Sequence, residues 1–248
     1  KIYAFSDDES CYIQEDLGDT SLYKALAKAR ANQYYYSSED KELLSKTIKG
    51  LARVQVKGVE NLDFSRCIEP KRFDKTAAMF DLNYFKYCFL KTTDLPFDEV
   101  KLEADFVNLA HDLVGCTDFG AIFFISLTFK HATIMLDEYG NPHFIDFQGG
   151  MQGPLQYDVA SFLWQASARY SQTMREQLIS DYIEELRQLC RILMKRVFDI
   201  VYNCLSCSEF SRFWVLMVCE VMLNEKKYFL DSIPLAIQNL RCVLSDGV

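Results

Sequence analysis

The residues best suited to chemistry lie in Phe144-Ile145-Asp146-Phe147-Gln148-Gly149-Gly150, a single carboxylate between apolar neighbours followed by a glycine pair. A hard cation such as Mg²⁺ takes oxygen ligands and completes its shell with phosphate oxygens, so a carboxylate at the end of a rigid element suits it. Ile145 and Phe147 are expected to bury the backbone around Asp146 and so fix where its charge points. Gly149 and Gly150 let the loop bend, which makes Gln148 a candidate contact to a substrate hydroxyl. Downstream, Gly153-Pro154-Leu155-Gln156-Tyr157-Asp158 places Asp158 at the start of an expected helix, as an N-terminal charge or cap. Upstream, Leu127-Thr128-Phe129-Lys130-His131-Ala132-Thr133 offers hydroxyls and no carboxylate. A threonine hydroxyl does not take up a proton at neutral pH, and beside an anionic or amide oxygen it is a poor ligand for Mg²⁺. His131 is of the right type for a base, but a lone His needs no function. His111 and His143 have no clustered partner and read as structural.

The elements that must position these residues follow from periodicity. Residues 2–5 and 11–14 read as two short strands joined by the turn cluster Ser6 to Ser10. Helices are expected over 21–30, capped by Asp19 or Thr20, and over 38–54, where Leu44, Ile48 and Leu51 share a face and Ser37 with Asp40 forms a capping box. A helix over 77–90 carries Phe80, Tyr84, Phe85, Tyr87 and Phe89, which predicts burial against more than one neighbour. The next, 97–114, repeats apolar residues at Leu102, Phe106, Leu109 and Leu113, the spacing of one packed face. A strand over 121–126 and a hairpin of 134–136 with 143–145 flank the loops described above. Beyond them helices are expected over 155–168, 172–195, 197–206, 209–229 and 232–245, with no repeat or linker.

Composition narrows the class. A chain of 248 residues that is half hydrophobic can bury a sizeable core, which excludes a disordered chain. With 27 basic against 35 acidic residues and a net charge of −8, it has no basic stripe for a phosphate backbone, so nucleic acid is not an expected partner. The apolar runs are shorter than the roughly 20 residues that span a bilayer, so no membrane association is expected. The nine cysteines, mostly in apolar segments, are expected to be buried free thiols of a cytoplasmic protein, and Cys204 with Cys207 form an isolated pair one turn apart.

Three strings taken together resemble one superfamily. They are Tyr12-Ile13-Gln14-Glu15-Asp16-Leu17-Gly18-Asp19, Asp81 to Tyr87, and Phe144 to Gly150 with Gly153-Pro154 and Tyr157 to Ser161. The chain resembles the aminoglycoside phosphotransferase and choline kinase-like superfamily, and within it the bacterial sugar or amino-sugar phosphotransferases. The resemblance implies an α+β, protein-kinase-like fold, chiefly its helical C-terminal lobe. Residues 1–14 would be a remnant of the N-terminal lobe, 15–20 the hinge, and 21–248 the helical lobe with its catalytic-loop hairpin.

It also implies ATP and Mg²⁺ as cofactors and a small sugar as acceptor. Gln14, Glu15 and Leu17 would meet the adenine edge with backbone groups, Asp146 would bind the metal, and Asp158 would brace the catalytic loop. The family's catalytic loop has an aspartate after His or Arg, then four residues, then an asparagine. Aligned through Ile134-Met135-Leu136, Thr128 stands at the base position and Thr133 at the second metal-ligand position. Loss of a general base costs about 10²–10⁴ in rate, so the expectation is a phosphotransferase scaffold with very weak or absent turnover. The competing readings are a non-catalytic binding or regulatory module and a redesigned relative that keeps only the fold.

Overall fold

The computed structural model describes residues 2–115, 124–125, 133–145 and 151–190, apart from positions 9, 59, 61, 68–70, 89, 93, 164 and 166–167. In chain order these form β1 (Ile2–Phe5), β2 (Tyr12–Gln14), α1 (Leu22–Ala25), α2 (Ala27–Ala31), α3 (Ser38–Lys57), α4 (Lys75–Cys88) and α5 (Glu99–Gly115). There follow β3 (Phe124–Ile125), β4 (Ile134–Leu136), β5 (Pro142–Phe144), β6 (Met151–Gln152), α6 (Gln156–Leu163) and α7 (Gln172–Cys190). The helices expected beyond 190, and the Cys204–Cys207 pair, lie outside the described residues.

The strands make three two-stranded antiparallel sheets, β1–β2, β3–β6 and β4–β5. In the first, Phe5 stands opposite Tyr12 and Ala4 opposite Ile13. A two-stranded ribbon has no interior of its own, and Tyr3, Phe5, Tyr12 and Ile13 are exposed. Cys11 is exposed there too and Cys67 half-buried, which corrects the expectation of buried thiols at these two positions.

The expected helix 21–30 departs from helical geometry at Leu26 (φ −83°, ψ 11°), leaving α1 and α2. Its cap is Ser21 rather than Asp19 or Thr20: the Ser21 hydroxyl accepts the Lys24 N–H at 3.3 Å, while the Asp19 carbonyl takes the Lys24 ammonium at 2.8 Å. α3 begins at the expected capping box, with Asp40 N–H donating to the Ser37 hydroxyl and Ser37 N–H to the Asp40 carboxylate. Its buried face is Leu44, Thr47, Ile48, Leu51, Ala52 and Gln55, and it packs along α7, which contributes Leu178, Tyr182 and Leu186. Full burial of each such aliphatic side chain contributes about 1.5–3 kcal/mol. At the rim of this seam Arg53 meets Glu185 at 2.7 Å and Lys49 meets Glu184 at 3.6 Å.

The second helical layer is α4 against α5. Ala78, Leu82 and Lys86 form the buried side of α4, facing Phe106, Ala110 and Leu113. Phe80, Tyr84 and Tyr87 are exposed, so the aromatic residues do not bury this helix on several sides. At i, i+4 and i+7 they form a solvent stripe in which Phe80 and Tyr84 stack at 6.3 Å. The Lys86 ammonium donates to Glu103 at 2.5 Å, and that bond is the main reason its pKa is raised. At the other edge of the core the buried Tyr36 hydroxyl donates to the Ala168 carbonyl at 2.5 Å, and burial pushes its pKa up.

Candidate functional site

The hairpin β4–β5 is built on its turn. Ile134 pairs with Phe144, Met135 with His143 and Leu136 with Pro142, so the second strand starts one residue earlier than its sequence indicates. Asp137 organises the turn: its carboxylate accepts the backbone N–H of Tyr139 and Asn141 and the Asn141 side-chain amide, and His143 Nε2 lies 3.1 Å away. These bonds, led by the Asn141 backbone N–H, hold the Asp137 pKa down at about 2. Gly140 supplies the left-handed turn residue at φ +78°. The Phe144 ring sits on α3 against Gly50, where an added Cβ would stand 3.2 Å from two of its atoms.

The ladder continues one step past β5, because Ile145 N–H donates to the Thr133 carbonyl at 3.0 Å. Thr133 therefore stands across the hairpin from the residue that precedes Asp146. Ile145 is itself 41% exposed, so it does not bury the backbone on its side of Asp146 as its apolar type led us to expect. Thr20 and Ser21 are fastened to the same hairpin: Leu136 N–H donates to the Thr20 carbonyl at 2.8 Å and Ser21 bridges to Met135.

Downstream of Gly150 the chain is held from two directions. β6 pairs with β3, Gln152 N–H donates to the Lys71 carbonyl at 2.9 Å, and Phe73 N–H donates to the Gln152 carbonyl at 2.7 Å. Tyr157, half a turn into α6, packs its ring on Phe73 at 5.4 Å and points its hydroxyl to Asp81 at 3.4 Å. Asp158 is fully buried as the acidic residue of the first turn of α6, and its carboxylate accepts the Gln55 side-chain amide at 2.9 Å. The same amide nitrogen donates to the Leu155 carbonyl at 3.1 Å, and the Gln55 oxygen accepts the Tyr182 hydroxyl at 2.5 Å.

Of the residues singled out in the sequence, Thr133 and Asp158 are thus placed at the two anchored ends of the Asp146 segment. Thr128, His131, Asp146 and Gln148 lie outside the described residues. Gln14 ends β2, and Glu15 and Leu17 follow it without regular structure. Residues 15–18 are not extended throughout, because the Asp16 carboxylate accepts the Gly18 N–H at 2.8 Å and Gly18 is left-handed at φ +70°. His143 joins the Asp137 turn, and His111 lies 3.6 Å from Asp112 at the surface. Gln55 and Tyr182 were not foreseen. Gln55 had a signal all the same, being the one amide on the face that repeats Leu44, Ile48 and Leu51.

Among the described residues no group of three or more His, Cys, Asp or Glu is placed to hold a metal ion. The donors by sequence are one carboxylate, Asp146, and the neutral Thr133 hydroxyl, a set that fits Mg²⁺ only if phosphate oxygens and water supply most of its shell. No helix among the described residues is long and apolar enough to cross a membrane.

No family model matches the chain, and no curated protein matches it in sequence. Solved structures do match it in fold. A choline kinase from Cryptosporidium parvum superposes with a TM-score of 0.54 at 11% identity, over 95% of this chain and 71% of that one. The choline kinase LicA from Streptococcus pneumoniae aligns at 0.47 and 12% identity, over 98% of this chain and 74% of its own. An ethanolamine kinase from Plasmodium vivax aligns at 0.46 and 14% identity, over 98% and 66%. The helical body, the short strands before it and the β4–β5 hairpin inside it therefore constitute an α+β, protein-kinase-like fold similar to that of the Cryptosporidium parvum choline kinase.

Proposed function

We propose that the chain is an ATP-dependent small-molecule phosphotransferase scaffold whose own turnover is very weak or absent. In this reading Gln14, Glu15 and Leu17 meet the adenine, Asp146 holds Mg²⁺ against the nucleotide phosphates, and Gln148 contacts an acceptor hydroxyl. Thr128 and Thr133 stand where a base and a second ligand are needed. The observation that carries the reading is the ladder bond from Ile145 to Thr133. It pairs Thr133 with the residue before Asp146, which supports reading Thr133 as the second-ligand position in a fold shared with a choline kinase. When bound, Mg²⁺ would neutralise charge on the transferred phosphoryl group. Domain limits of 1–14, 15–20 and 21–248 belong to the same proposal, as does a cytoplasmic setting.

The acceptor proposed from the sequence strings is a sugar hydroxyl. An amino alcohol is the second reading, favoured by the structure with the TM-score of 0.54, a choline kinase. The test is thermal denaturation with and without Mg-ATP for the chain and for Asp146→Asn, followed by ATP consumption with sugars, choline and ethanolamine. A rise in Tm that the substitution removes is expected, since a ligand that binds only the folded state stabilises it. Turnover of any acceptor at a rate typical of kinases, about 1–100 s⁻¹, would overturn the inactivity. Equal behaviour of the two proteins would remove Asp146 from the site.

A further inference from the structure

We propose that Gln55 and Tyr182 are positioning residues for the phosphate-handling site, acting through Asp158 and Leu155 at the head of α6. The inference rests on the Mg-ATP reading above and adds to it two residues from helices that the motif strings do not include. Gln55 is fully buried on the face of α3 that also carries Leu44, Thr47, Ile48, Leu51 and Ala52. Burying an amide there is unfavourable unless its hydrogen bonds are made. All of its groups are engaged, two donations going to Asp158 in α6 and to the carbonyl of Leu155 just before it, and one acceptance coming from Tyr182 in α7. A flipped amide would set its oxygen against two acceptor oxygens, so the network admits one orientation.

The placement gives this network its reach. Residues 151–158 follow directly on the Asp146–Gly150 segment. They are fixed at one end by the pairing of β6 with β3 and residues 71–73. At the other end Gln55 fixes them, itself steadied by Tyr182. The two helices that carry these residues, α3 and α7, pack against each other as the spine of the core. A hydrogen-bonded amide thus ties the segment after Gly150 to the packed pair α3 and α7. An apolar residue of the same size would fill the space without setting a direction.

The experiment is calorimetric titration of the full chain with Mg-ATP, and with ATP in the presence of a chelator, for wild type, Tyr182→Phe and Tyr36→Phe. Tyr36→Phe is the control because it deletes the same kind of buried hydroxyl bond elsewhere, to the Ala168 carbonyl. Removing a residue that supports a metal ligand typically costs 10–100-fold in metal affinity, so Tyr182→Phe should lower the Mg²⁺-dependent gain in affinity about tenfold. Tyr36→Phe should leave that gain unchanged while lowering Tm comparably. Gln55→Met, close in size and without hydrogen bonds, should act in the same direction as Tyr182→Phe. Wild-type affinity in both network variants, or equal losses in all three, overturns the inference and leaves the Mg-ATP reading standing. No Mg-ATP binding by wild type overturns the reading and the inference with it.

Discussion

Replacing Gln55 by leucine tests whether the buried amide holds the helical core together as its geometry requires. Leucine is near glutamine in volume, so little cavity forms and the loss is mainly polar. Three bonds disappear, to the Asp158 carboxylate at 2.9 Å, to the Leu155 carbonyl at 3.1 Å and from the Tyr182 hydroxyl at 2.5 Å. A hydrogen bond to a carboxylate contributes about 1.5–3 kcal/mol and a neutral one about 0.5–1.5 kcal/mol. Their sum centres on about 4 kcal/mol, a large fraction of the roughly 5–15 kcal/mol that holds a typical domain folded. Tyr182→Phe deletes one neutral bond and should cost about 1 kcal/mol. Because both act in one network, the double variant should lose less than the sum of the two. Urea unfolding followed by circular dichroism gives each value. A loss below about 1.5 kcal/mol for Gln55→Leu, less than the carboxylate bond alone typically contributes, would refute the assignment.

Other outcomes follow from the hairpin. Gly50→Leu should push the Phe144 ring off α3, since even a Cβ would stand 3.2 Å from it, and cost about 1–3 kcal/mol in thermal or urea unfolding; a stabilised variant would contradict the packing. The Asp137 carboxyl is held at about 2 in the folded chain against an ordinary value of 3.8. Its contribution is therefore complete above pH 3.8 and lost as the pH falls through about 2. Asp137→Asn should flatten the loss of stability across that window relative to wild type, and parallel acid-unfolding curves would dismiss the turn as a source of acid sensitivity.

Several elements of this fold are written locally. Ser37 and Asp40 form their capping box whatever lies around them, because both partners are within one turn. Ile134 to Leu136 and the turn after them likewise specify a hairpin from short-range chemistry alone. What the sequence hides is tertiary. Phe80, Tyr84 and Tyr87 are as hydrophobic as core residues, and only the placement of α5 on the opposite side of α4 turns them outward. Ile145 misled for the same reason: its exposure depends on what stands beside the hairpin, not on its own type. For the site, Asp158 was legible as a motif residue, whereas its partner Gln55 is 103 positions away and Tyr182 is 127 from Gln55. No local pattern relates residues at such separations, although an amide on an apolar face is a mark that can be searched for.

The fastening of Thr20 and Ser21 to β4 has a mechanical consequence. Gly18 is left-handed, with open space where a side chain would be, so a turn of the leading ribbon there meets no side chain and is opposed by the Asp16 bond to the Gly18 N–H. Two residues later the chain is bonded to the hairpin that leads to Asp146. A tilt of β1–β2 taken up at Gly18 would leave the hairpin in place, and a shift of the hairpin would carry Thr20 and Ser21 with it.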